Sequence, residues 1–177
     1  MIEIKNVSKK FGKLEVLKNV SVSCKSGQCI ALIGPNGCGK TTLIKSILGM
    51  VLPDEGSMEF NQKSIFGDYS YREKIGYMPQ IGRYPDTMTI GEIIKMVKKI
   101  RNSKDNLDED LFRDFEIEKM LNKQMRTLSG GTTQKISAVL AFMFNPDVLI
   151  LDEPTAGLDP LAAEVLKEKI IKEKGKG

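Results

Sequence analysis

The chain contains no histidine, and its three cysteines, Cys24, Cys29 and Cys38, form no Cys-x-x-Cys pair. That excludes a zinc site of the usual spacing, and reduced thiols are expected. Long hydrophobic runs are missing too. The longest, Ala138–Phe144, is far shorter than the roughly 20 residues that cross a bilayer. The start, Met1-Ile2-Glu3-Ile4-Lys5-Asn6, lacks the apolar core of a signal peptide, so a cytoplasmic location is expected. Neither sign of charge dominates: 27 Lys and Arg face 23 Asp and Glu, for a net +4. The lysines are scattered along expected helices, which reads as a solvated face, and no nucleic-acid partner is expected. There is no repeat and no low-complexity tract. With 41% hydrophobic and 28% charged residues over 177 positions, the composition is that of a soluble globular domain, or of one with a small inserted subdomain, able to bury a substantial core.

What is there centres on Gly34-Pro35-Asn36-Gly37-Cys38-Gly39-Lys40-Thr41-Thr42. An apolar run, Cys29–Ile33, reads as a short strand before it, and Leu43, Ile44, Ile47 and Leu48 share one face of a helix after it. The stretch satisfies G-x-x-x-x-G-K-[ST] at every defined position, a match expected by chance in about one chain of this size in a hundred. Gly34, Gly37 and Gly39 let successive N–H groups turn inward, and the following helix presents its positive end to the same concavity. Polyphosphate is the natural occupant. Lys40 reaches the terminal phosphates, Thr41 offers its hydroxyl to Mg²⁺, and Thr42 hydrogen-bonds the phosphate nearer the sugar. The plain alternative is a glycine-rich strand-to-helix turn without a ligand.

Along the chain, Ile2–Lys5 and Val20–Cys24 alternate as antiparallel strands with one buried face, and Lys10-Phe11-Gly12-Lys13 between them is a turn carrying an aromatic. Taken alone, Phe11 reads as a half-buried hairpin residue. Met58-Glu59-Phe60 and Ile75–Met78 read as further strands, the second ending at Pro79-Gln80. Thr89-Ile90-Gly91-Glu92 is a capping box opening a helix with Ile93, Ile94, Val97 and Ile100 on one face, and Asp108–Asp110 introduces a helix with Leu111, Phe112 and Phe115. Residues 81–128 therefore read as a helical insertion in an α/β core formed by 1–80 and 129–177. The core resumes with a helix from about Thr133 to Phe144, a buried strand Val148–Leu151 and a last amphipathic helix from Leu161. Because a crossover helix exists to bring the next parallel strand back to the sheet, the chain is expected to be a fragment whose domain continues.

Two further stretches carry chemistry. Asp152 ends an apolar strand, where it is expected to hold Mg²⁺ together with Thr41, while Glu153 points the other way, toward the γ-phosphate. A carboxylate there can orient and deprotonate water. Leu128-Ser129-Gly130-Gly131-Thr132 opens a helix with two glycines and a hydroxyl, a second anion-binding terminus in a chain whose first is already used. Either it serves a neighbour's nucleotide or it is a plain helix-start loop.

In that order and spacing, the phosphate loop Gly34–Thr42, Gln80, Leu128–Thr132, Val148–Glu153 and Ala156-Gly157-Leu158-Asp159 resemble the nucleotide-binding domain of an ABC transporter ATPase over nearly the whole chain. The resemblance implies an α/β, RecA-like P-loop NTPase core with an antiparallel β subdomain and an inserted helical subdomain. It implies binding and hydrolysis of ATP with Mg²⁺ by a head-to-tail dimer, or by a pair with another ABC ATPase subunit. In that pair Ser129, Gly130, Gly131 and Thr132 close over the partner's γ-phosphate, and Asp159 helps form the seam. Phe11 then stacks on adenine with Val16 nearby, and Gln80 contacts Mg²⁺ or the attacking water. A separate multi-span membrane protein would be the driven partner, reached from the cytoplasmic face. The stretches 76–85 and 155–160 look most like export-type ATPases, in particular the copper-processing subunits of nitrous-oxide-reductase maturation.

This sequence departs from the family pattern at Thr132, where glutamine is usual, and at Gln134-Lys135, where a Gln-Arg pair is usual. Cys38 stands where serine is common, and its thiol is expected to have a lowered pKa at an electropositive helix start. The resemblance implies a switch histidine, which is expected beyond residue 177. The rival expectations are a soluble ABC ATPase of ribosome-associated or repair type, and a regulatory module that closes on ATP without turnover.

Overall fold

In the computed structural model, which describes residues 1–102 and 106–175, alternation in the first residues becomes a hairpin. β1 (Ile2–Phe11) buries Ile2, Ile4 and Val7 and pairs antiparallel with β2 (Leu14–Cys24), from Ile2↔Cys24 to Phe11↔Leu14, with the register shifting between Ile4 and Val7, Val7 and Lys9, and Lys9 and Lys10. The hairpin closes on Gly12-Lys13, with Gly12 at φ +60° as a tight two-residue turn demands. On the other side of β1, β3 (Glu55–Phe60) pairs antiparallel, Ile4 opposite Met58, and the two-residue β4 (Lys63–Ser64) follows, giving the order β2-β1-β3-β4. Gly56 sits where an added Cβ would lie 2.4 Å from the Lys5 carbonyl oxygen, so only glycine fits this crossing. α1 (Lys40–Ile47) buries Leu43 and Ile44, with Leu48 behind them. Tyr71 fastens its end: the hydroxyl donates to the Ile47 carbonyl at 2.8 Å and the ring lies 5.7 Å from Phe60. Met1–Arg72, with the last residues from Glu173, makes up one compact unit, and Glu73–Lys172 a second.

In the second unit, β5 (Ile75–Met78) and β6 (Val148–Leu151) pair in parallel, from Ile75↔Val148 to Met78↔Leu151. α4 (Gly130–Phe142) packs on β5 so closely that a Cβ on Gly76 would lie 2.0 Å from the Ala141 carbonyl oxygen. α2 (Ile90–Ile100) starts on the expected capping box: Thr89 Oγ1 accepts the Glu92 N–H at 3.3 Å, and Glu92 Oε2 accepts the Thr89 N–H at 2.8 Å. Ile90, Ile93, Leu111, Ile117, Ile136, Val139, Met143 and Leu166 form the centre of its core. The short α3 (Asp110–Asp114) is tied to α5 (Pro160–Lys174) by Lys169, which is only 5% exposed. The Lys169 ammonium donates to the Asp108 carboxylate and, at 3.0 Å, to Asp110 Oδ2, which also accepts from Lys172 at 2.7 Å.

Four sequence expectations change. Cys29–Ile33 forms no strand: it belongs to neither sheet, and Ile30, Leu32 and Ile33 are 44%, 44% and 93% exposed. An apolar run becomes a strand only where a neighbour takes up its backbone donors and acceptors. Ile100 is exposed at the last residue of α2, although Ile93 and Ile94 are buried. β6 is half-buried along its whole length rather than sealed. The helix expected from about Thr133 starts at Gly130, because Ser129 caps it.

Candidate functional site

The glycine-rich loop sits in the first unit. Gly37 and Gly39 adopt φ +80° and +99°, the left-handed region open to glycine, and α1 begins directly after at Lys40. The Lys40 ammonium curls back over the loop, donating to the Gly34 and Pro35 carbonyls at 2.7 and 3.0 Å, with Cys38 Sγ at 4.0 Å. Cys38 is exposed, and its sulfur lies over Gly34, 2.7 Å from where a Cβ there would stand. Gly39 is buried against β2, where an added Cβ would meet the Val16 carbonyl oxygen at 2.7 Å and Val16 Cγ1 at 3.3 Å. Val16 is thus brought to the base of the loop. Phe11 stands half-exposed at the tip of the same hairpin, with Lys9 Nζ 5.5 Å from its ring centroid. Lys9 is held there by Asp54, whose two carboxylate oxygens take the Lys9 ammonium and the Lys10 N–H, each at 2.7 Å, and so sits below the usual carboxylate range. Thr41 and Thr42 lie half-buried in the first turn of α1.

The second unit gathers the remaining candidates. β5 and β6 end side by side, and the Asp152 N–H donates to the Met78 carbonyl at 2.9 Å. Asp152 is buried, whereas Glu153 is exposed and turns the chain at φ +51°, a conformation costly for a residue other than glycine and concentrated at functional sites. Gln80, two residues beyond β5, donates from Nε2 to Glu153 Oε2 at 2.8 Å. Ser129 and Gly130 are exposed at the start of α4. Ser129 Oγ accepts the Thr132 N–H at 3.2 Å and lies 2.9 Å from Thr132 Oγ1. Gly131 abuts the turn before α5, since a Cβ on it would lie 2.7 Å from the Gly157 carbonyl oxygen. Asp159 caps α5 through the Ala162 N–H at 2.9 Å. Lys135 reaches Asp159 at 2.7 Å, and this hydrogen bond, followed by the backbone one, lowers the carboxyl's pKa.

In the sequence Gln134 and Lys135 stand only as departures from a pattern, and nothing marks Tyr84 or Ser137 as site residues. Gln134 is 4% exposed and donates to the Pro79 carbonyl at 3.3 Å. Tyr84 and Ser137 share a hydrogen bond of 3.0 Å. The available signal was a glutamine four and seven residues from buried Ala138 and Ala141, a polar group on an apolar stripe. For a metal, the candidate donors are a threonine hydroxyl, an amide oxygen and the Asp152 carboxylate. Among the described residues no group of three or more His, Cys, Asp or Glu could hold an ion. Hydroxyl, amide and carboxylate oxygens are the hard donors that Mg²⁺ takes, with waters and substrate phosphates as its usual other ligands.

A glycine-rich loop on a helix start, with acid at the end of a parallel strand elsewhere in an α/β fold, defines a nucleotide-binding protein of the phosphate-loop class. Within that class the chain belongs to the ABC transporter family, whose profile matches residues 17–156. Domains of this family are ATPases. The chain is 31% identical over 179 residues to the Nod factor export ATP-binding protein I of Ralstonia nicotianae, covering 96% of this chain and 54% of that one. It is 34% identical over 181 residues to the uncharacterized ABC transporter ATP-binding protein YhaQ of Bacillus subtilis, covering 100% of this chain and 60% of that one. Of solved structures, an ATP-binding subunit of an ABC transporter matches with TM-score 0.88 at 32% identity, over 99% of this chain and 75% of that one. A dimeric ATP-binding cassette in a post-hydrolysis state, bound to ADP and Pi, matches with TM-score 0.87 at 25% identity, over 99% and 84%. The chain spans 54% and 60% of the two curated relatives' length. Among the described residues, no helix is long and apolar enough to cross a membrane.

Proposed function

We propose that this chain is the ATP-binding part of an export-type ABC transporter: it binds and hydrolyses MgATP as a head-to-tail pair and drives a separate multi-span membrane subunit from the cytoplasmic face. The observation that carries the reading is the Gln80 to Glu153 hydrogen bond at 2.8 Å, which joins the residues following two parallel strands. A carboxylate oriented by an amide, at a strained strand end, suits the handling of a water molecule. Relatives named for Nod factor export support the export assignment. Within it, the stretches 76–85 and 155–160 favour the copper-processing subclass of nitrous-oxide-reductase maturation.

On this reading ATP lies with its phosphates in the loop 34–39. Lys40 exchanges the Gly34 and Pro35 carbonyls for phosphate oxygens, and Thr42 binds the phosphate nearer the sugar. Phe11 stacks on adenine, a contact worth roughly 1–3 kcal/mol, with Val16 beside it. Thr41, Asp152 and Gln80 would hold Mg²⁺, which neutralises phosphate charge when bound. Glu153 accepts the proton of a water whose oxygen attacks the γ-phosphorus. The bond to the β-γ bridging oxygen breaks and ADP leaves with that electron pair. Ser129, whose Oγ already accepts from Thr132, keeps its proton to donate to a partner's γ-phosphate, with the Gly130 and Gly131 backbone behind it and Thr132 holding the hydroxyl in place. Asp159, fixed by Lys135, lies at the seam.

The test is Glu153→Gln in the full-length protein. Removing the base is expected to lower steady-state ATP turnover at least about 10²-fold while nucleotide binding persists and ATP-loaded pairs accumulate in light scattering. Unchanged turnover, or single molecules only, would sink the reading.

A further inference from the structure

We infer that Gln134 is a positioning residue for ATP hydrolysis, setting Gln80 against Glu153 through the Pro79 carbonyl; this rests on the reading above of Gln80 and Glu153 as the groups that handle water. Gln134 lies in the core of the second unit, where a buried amide must find a partner. Its partner is the carbonyl of the residue immediately before Gln80, with Nε2 donating at 3.3 Å. Proline has no N–H, so this carbonyl is the one backbone group by which Pro79 can be hydrogen-bonded.

A second fastening lies a turn along the same helix. Ser137 shares a 3.0 Å hydrogen bond with the Tyr84 hydroxyl and itself donates to the Thr133 carbonyl at 3.1 Å. Between the two, Gly82 runs so close to α4 that an added Cβ would lie 2.2 Å from Ser137 Oγ. The segment 79–84 is therefore pinned near both ends to one face of α4, and exposed Gln80 projects from between the pins to Glu153. The same helix begins with Ser129, proposed to meet the partner's nucleotide. α4 thus carries at its start the group that senses one nucleotide and, one turn on, the anchor of the pair that acts on the other. Gln134 is the side chain that makes that second connection.

The experiment uses the full-length protein with Gln134→Met and Gln134→Leu, two apolar replacements of similar length that guard against a folding failure of either. Gln134 is buried in the core of its unit, so KM for ATP is expected to stay at the wild-type value while kcat falls about tenfold, the factor one ordinary hydrogen bond is worth in a barrier. In a Gln80→Ala background the same replacement should lower kcat no further, because its effect runs through Gln80. Hydrogen exchange of the 80–83 backbone should quicken in the single variants whether or not ATP turns over. Wild-type kcat, an undiminished fall in the Gln80→Ala background, or unchanged exchange would each overturn the inference. If the wild-type protein hydrolyses no ATP, or Glu153→Gln matches it, the functional reading fails instead, and the exchange comparison still decides whether Gln134 anchors the segment.

Discussion

At Gly39, a left-handed backbone and a buried contact coincide: φ is +99° and the Val16 carbonyl oxygen occupies the space of a side chain. Gly39→Ala must strain the turn and push the loop from β2. A loss of about 2 kcal/mol is expected in urea denaturation, with nucleotide affinity falling in parallel. An unchanged midpoint would contradict the packing. Cys38 makes a different test. Its exposed thiol lies over Gly34 and 4.0 Å from the Lys40 ammonium, so a maleimide adduct there should block nucleotide binding and bound ATP should slow the labelling. Full binding after complete labelling of Cys38 would refute this. The loop was legible because glycines, lysine and threonines act through local backbone geometry, which spacing records. Gln134 was not, because its partner is a carbonyl 55 positions away that any residue could have supplied.

Among the elements, α2 was the most legible, since its cap is written in four consecutive residues. Thr89→Ala removes the acceptor for the Glu92 N–H and should cost about 1 kcal/mol in the same denaturation measurement. Cys29–Ile33 shows the converse. Its composition suits a strand, yet strand formation is a property of a pair, and a one-dimensional reading cannot see whether the ladder partner is engaged. Ile100 is a milder case: it falls on the right stripe of α2 but at the last residue, where the helix has run past its core. The short α3 depends on charge more than on length. Lys169 donates into both Asp108 and Asp110, so Lys169→Met would take this ammonium from the buried Asp108 carboxylate while Asp110 keeps Lys172, and is expected to destabilise the second unit by about 3 kcal/mol.

For the molecule as a whole, several carboxyls act together. Asp110 is held well below the usual range, first by Lys172 and then by Lys169, Asp159 chiefly by Lys135, and Asp54 chiefly by Lys9. A carboxyl whose pKa is lower in the folded than in the unfolded chain contributes its stability above the unfolded value of about 4 and loses it as pH falls through that range. The denaturation midpoint should therefore be nearly level from neutral pH down to about 5 and decline below it, and Lys169→Met should flatten the decline. A midpoint rising toward acid would contradict the assignments. The α/β class was readable at this scale from the alternation of apolar runs and helices. The division into units of Met1–Arg72 and Glu73–Lys172 was not, because it reflects where contacts cluster in space.

The burial of Lys169 has one more result, in the chemistry of the surface. An amine enclosed by two acids cannot meet an acylating reagent, so a residue-resolved labelling map with a succinimidyl ester should mark outlying lysines such as Lys167 and Lys172 and leave Lys169 dark. Its appearance in such a map would be an early signal that α5 had come away from α3.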